Sequence, residues 1–110
     1  MHVIVAVTTR DGDRPPPGVP MRVEIRDTSL ADAPSVTVAM VESTVRGVQG
    51  AWLDTVEVSF DHDPSQCSIY VHLDVDGDGR VSIGDYVTMA SYPVPATDAT
   101  RVTVEVRRVV

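Results

Sequence analysis

Ile69-Tyr70-Val71-His72-Leu73-Asp74-Val75 alternates in character residue by residue and runs without a break into Asp76-Gly77-Asp78-Gly79. A period of two places successive side chains on opposite faces of a strand, so Ile69, Val71, Leu73 and Val75 face a core while Tyr70, His72 and Asp74 face away from it. The same pattern recurs on both sides of this stretch. Val3, Val5 and Val7 form one run, and Val19, Met21, Val23 and Ile25 alternate with Pro20, Arg22, Glu24 and Arg26 in a second. Val36, Val38 and Met40 begin a third, and after Trp52 a fourth sets Val56, Val58 and Phe60 against Thr55, Glu57 and Ser59. A run from Tyr86 to Tyr92 follows the acidic loop, and Val102, Val104 and Val106 alternate with Arg101, Thr103, Glu105 and Arg107 in the last. Turn-forming residues separate these runs: Asp11-Gly12-Asp13 with Pro15-Pro16-Pro17-Gly18, Asp27 to Pro34, Gly47 and Gly50, Asp61 to Ser65, and Pro93 with Pro95. Pro20 lacks a ladder donor and belongs at an edge or a strand terminus. Short strands at this spacing, without a helical period, predict an all-β fold, a seven-stranded antiparallel β-sandwich of the immunoglobulin- or transthyretin-like kind.

The chain has 110 residues, enough for one domain spanning 1–110. Its 22 valines, against a single Phe and a single Trp, supply the β-branched side chains that strands favour. The formal net charge of −7 repels phosphate backbones and anionic headgroups, which argues against nucleic-acid and membrane-surface partners. No apolar run approaches the ~18 residues of a spanning helix. Cys67 is the sole cysteine, outside any zinc-ligand spacing, and reads as a small core residue.

The stretch Asp74 to Asp85 carries the chemistry. Counted from Asp74, it places carboxylates at loop positions 1, 3, 5 and 12 (Asp74, Asp76, Asp78, Asp85), glycine at 6 (Gly79) and a hydroxyl at 9 (Ser82). This is the ligand spacing of an EF-hand loop, in which Ca²⁺ takes six to eight oxygens. The position-7 carbonyl, here Arg80, adds a backbone oxygen. The candidate metal ligands are therefore Asp74, Asp76, Asp78, Arg80, Ser82 and Asp85, with Ca²⁺ as the expected ion. Position 12 is Asp rather than the usual Glu, as in dockerin loops, which these twelve residues resemble. Strands rather than helices flank the loop, so the expectation is a metal loop set into a β-hairpin. The alternative is an acidic turn in which the Asp-Gly pairs only supply positive φ.

Other candidates are weaker. His2, His62 and His72 are scattered, with Asp61-His62-Asp63 expected as a solvated turn, His72 as a surface or cross-strand residue, and Trp52 as a core aromatic. No nucleophile turn of the GxSxG kind is present, and Gly77 and Gly79 lie among aspartates that would repel a phosphate. The expectation is a protein without an active site.

Val23-Glu24-Ile25-Arg26-Asp27-Thr28-Ser29-Leu30-Ala31-Asp32-Ala33-Pro34 resembles the YbaY-type lipoprotein family, which includes the YscW-type pilotins of type III secretion. That family shows a strand ending in D-x-S-x-A-D-A-P after a Pro-containing bend, here Pro15-Pro16-Pro17-Gly18. Ser91-Tyr92-Pro93-Val94 is similar to the end of its late strand. The resemblance implies a small β-sandwich whose characterised relatives bind and localise a secretin partner. The lipobox cysteine and signal segment of the lipoprotein members are missing from this chain. The cytoplasm is thus the expected location for the chain as written, and an extracytoplasmic one if an export segment has been removed.

The functional expectation is a non-enzymatic module with one structural Ca²⁺ site, binding an unknown protein by strand addition at an edge or in an apolar groove. The alternative is a pilotin-like secretion chaperone or envelope protein without a metal role.

Overall fold

The computed structural model describes residues 1–10, 12–29, 34–47 and 51–110. Asp11 of the first turn, Leu30-Ala31-Asp32-Ala33 of the family-like stretch and Gly50 lie outside the described residues. Among the described residues seven strands form in chain order: β1 (His2–Thr8), β2 (Pro20–Asp27), β3 (Val36–Thr44), β4 (Leu53–Ser59), β5 (Cys67–Leu73), β6 (Tyr86–Thr88) and β7 (Thr100–Arg108). A 3-10 turn, Pro64–Gln66, precedes β5, capped by Asp63. No helix among the described residues is long and apolar enough to cross a membrane. The strands hydrogen-bond in the order β3-β2-β5-β6-β7-β1-β4. The edge strands β3 and β4 approach one another without pairing, so the sheet folds over on itself into an open, barrel-like sandwich.

The all-β expectation holds, with two differences of detail. Five of the six pairings are antiparallel, but β1 and β7 run parallel in the register Val3↔Thr100 to Thr8↔Glu105. β7 then passes to the other half of the sheet, pairing with β6 through Tyr86↔Arg108 to Thr88↔Val106. The second difference is the run from Tyr86 to Tyr92, which stays in the ladder only to Thr88. There the Thr88 hydroxyl takes the Val71 amide at 3.3 Å in place of a backbone carbonyl. The chain leaves β5 and returns at Tyr92, whose carbonyl accepts from Ile69, while the Val94 amide donates to Cys67.

Alternation explains the interior. Val3, Val5 and Val7 from β1, Met21, Val23 and Ile25 from β2, Ile69, Val71 and Leu73 from β5, and Val104 and Val106 from β7 share one core. Cys67 and Trp52 are buried in it as expected, and so is Tyr86. Truncating such a side chain costs ~2–5 kcal/mol for Leu→Ala, because neighbours only partly refill the space.

One acidic residue faces inward with these valines. Asp54 on β4 is buried and accepts from the Trp52 indole (3.0 Å), the Arg46 amide (2.9 Å) and the Arg46 guanidinium (2.5 Å). Burial pushes its carboxyl up, but these three donors outweigh that and hold it below its ordinary value. Stability from such a group is complete above the unfolded carboxyl's value of 3.8 and is lost as pH falls through the lower folded value. Asp54→Asn should cost ~2 kcal/mol at pH 7 and lose less further stability than the parent between pH 5 and pH 2, as read by urea unfolding across pH. Parallel pH profiles would show that Asp54 adds nothing to the acid sensitivity.

Candidate functional site

β5 and β6 are neighbouring antiparallel strands, His72 opposite Val87 and Leu73 opposite Tyr86, and residues 74–85 connect them. The loop therefore sits on a β-hairpin. Its coiling is local. Asp74 Oδ1 accepts from the Gly77 amide at 3.1 Å and Oδ2 from the Gly79 amide at 2.8 Å. Asp76 and Asp78 accept from the amides two residues onward, those of Asp78 and Arg80. Gly77 and Gly79 have φ of 72° and 77°, a left-handed conformation that costs other residues ~1–2 kcal/mol each.

Carboxylate oxygens of Asp74, Asp76, Asp78 and Asp85 all come within 4.8 Å of one another. The spacing thus does bring its four acidic residues together. Ser82 joins them, its hydroxyl donating to Asp76 Oδ2 at 2.6 Å, which holds the Asp76 carboxyl below its usual range. Arg80 is exposed beside Gly79 and donates its amide to Asp78. Four converging anions can be held by a cation or by hydrogen-bond donors, and the amides of residues 77–80 supply part of that second kind of support.

Asp85 stands apart from the other three. It is 0% exposed, whereas Asp76 and Asp78 lie in solvent. Its Oδ1 accepts from the Val75 amide (2.8 Å), and its Oδ2 accepts from the Ser82 amide (3.2 Å) and from His72 Nε2 (2.8 Å). Burial raises its carboxyl, but the His72 bond and then the two amides bring it below the ordinary value. The residue that closes the calcium spacing is also the clasp that ties both ends of the loop to β5.

His72 is the member that sequence reasoning missed. It does lie on the outward face of β5, in register with Arg22 of β2. The loop covers that face, leaving His72 only 7% exposed, and its ring joins Asp74 and Asp85 as a second close group of possible ligands. The available signal was its position two residues before Asp74 on the face from which the loop departs. Tyr86, which opens β6, is core, with its hydroxyl held by Arg108 and Asp13. His62 is also more tightly held than a solvated turn requires, bonding to Asp27 at 2.7 Å.

Between the loop and the β2–β3 hairpin lies a cleft of about 440 Å³ lined by Met21, Arg22, Glu42, His72, Asp74 and Gly79. Arg22 and Glu42 form an ion pair across its far wall at 3.3 Å.

No family model matches the chain, and no curated protein does. Among solved structures the chain is similar to an alternative pilotin from the type II secretion system of Vibrio cholerae. The match has a TM-score of 0.75 at 22% identity and covers 99% of this chain and 96% of that one. The chain has the fold of that pilotin.

The clasp makes a direct prediction. Asp85→Ala leaves the Val75 and Ser82 amides and the His72 ring without their acceptor, and should cost ~2–4 kcal/mol in chemical denaturation. Amide exchange across residues 75–83 should accelerate in the same variant. Unchanged exchange there would show that the local turns hold the loop without Asp85.

Proposed function

We propose that this protein is a pilotin-like, non-enzymatic binding module whose partner is a secretin-type polypeptide. The observation that carries the reading is the end-to-end match to a type II secretion pilotin, which leaves neither chain with an unmatched domain. The family that the sequence of Val23 to Pro34 resembles also includes pilotins, although no family model matches the chain. The acidic surface and exposed edge strands suit recognition of polypeptide. Titrating the protein with overlapping fragments that cover a secretin of the same organism should find one segment binding at micromolar Kd or tighter. Absence of binding by every fragment and by the intact secretin would overturn the reading.

A second component rests on the 74–85 loop. The approach of Asp74, Asp76, Asp78 and Asp85 to within 4.8 Å supports a structural Ca²⁺ site completed by Ser82 and the Arg80 carbonyl. Bound ion would relieve the mutual repulsion of the carboxylates and stiffen the β5–β6 connection. At ~100 times its Kd it would add ~2.7 kcal/mol, a rise of about 10 °C in Tm for a domain of this size. Thermal melts in chelator, magnesium and calcium should show a calcium-selective rise that Asp76→Ala abolishes. Identical melts in all three would reduce the loop to an acidic turn held by its amides and His72.

A further inference from the structure

Two strands end the sheet, and their free edges differ. β4 carries the buried charge of Asp54 on its inward face, one of the devices by which edge strands discourage the addition of another strand. β3 carries no inward charge, and its one irregularity, a bulge at Val38 opposite Ile25 and Arg26 of β2, lies toward its start. Its nine residues, Val36-Thr37-Val38-Ala39-Met40-Val41-Glu42-Ser43-Thr44, contain one charge, no lysine and no proline.

β3 is also only partly covered. Val38, Ala39 and Val41 pack against the core only in part, and Val36 and Met40 are 61% and 48% exposed. β2 occupies one side of its backbone in the register Pro20↔Thr44 to Asp27↔Val36. Among the described residues no strand pairs with the other side. A β-rich edge with unpaired N–H and C=O groups and half-covered apolar side chains is a template for strand addition.

We propose that the free edge of β3 receives an extended strand from a partner polypeptide in which apolar residues alternate with basic ones. Apolar side chains of the incoming strand would extend the inner row of Val38, Ala39 and Val41. Basic side chains would compete with Arg22 for Glu42, exposed near the end of β3, and with His2 for Glu57, exposed on β4, the strand that approaches β3. Charge selects against the simplest other occupant, a second copy, because each copy carries a net charge of −7. The inference rests on the protein-binding reading and goes beyond it by naming the edge and the chemistry of the strand.

The test is an NMR titration of labelled protein with an eight-residue peptide alternating lysine and valine, with a glutamate–valine peptide as the control. The expected result is shifts and slowed amide exchange confined to β3 and its neighbours, with the lysine peptide binding at least tenfold more tightly. Met40→Lys and Glu42→Arg should each weaken that binding severalfold. Both side chains are exposed, and circular dichroism checks that the fold persists. Shifts centred on β4 or on the cleft beside Asp74, or no shift at millimolar peptide, would overturn the assignment. Protection of β3 by concentration-dependent dimerisation without peptide would make the occupant a second copy and overturn it as well. Secretin binding that survives both substitutions would remove the β3 edge and keep the secretin reading. Peptide addition at β3 without any secretin binding would do the reverse.

Discussion

The parallel pairing of β1 with β7 joins the two halves of this molecule. β1 and β4 connect to the remaining strands through that ladder, and β7 alone spans both halves, using residues 100–105 for β1 and 106–108 for β6. The core depends on it. Val3, Val5 and Val7 meet Val23, Val71 and Leu73 only because β7 carries the sheet around the fold. A contact between the first and last strands is also the most non-local in the chain, so it closes the largest loop and gains nothing from local propensity.

The 74–85 loop adds a second constraint on top of that frame. Its inner coil is organised by short-range side chain–amide bonds, but its position is set by Asp85, whose carboxylate reaches back to Val75 and across to His72. The His72–Asp85 pair is nearly dry, where an unpaired charge would be expensive, and its geometry leaves neither partner exposed. The same carboxylate thus fixes the loop and stands among the candidate metal ligands. Any ion bound there would share Asp85 with His72 and the Val75 and Ser82 amides, which sets this loop apart from a free-standing acidic coil.

A fold match at 22% identity without any family match is physically reasonable for this architecture. A core built from alternating β-branched residues accepts many sequences, since volume and patterning constrain it more than individual side chains do. One backbone can therefore carry many different surfaces. That is why the binding reading draws on the length and completeness of the structural match, and why the edge of β3 is argued from its own residues.

The sequence by itself determined where the strands lie, most of their inward faces and the acidic loop, but the side chains of Val36 and Met40 on β3 and of Val75 beyond the end of β5, read as inward, are exposed. Period-two alternation is a local property, and so is the tight coil that gathers Asp74, Asp76 and Asp78 within five residues. Burial of Cys67 and Trp52 followed from their chemistry. Tertiary structure alone decided which strands pair, because the alternation of a strand is the same beside a parallel or an antiparallel neighbour, and Val3 to Val7 read identically in either case. It also decided that Thr88 would end β6, since a hydroxyl competing for the Val71 amide leaves no mark on hydrophobic periodicity. And it decided the role of His72. Alternation placed that residue on the outward face, but only the loop folding back over that face buries it against Asp85 and turns a surface histidine into part of the site.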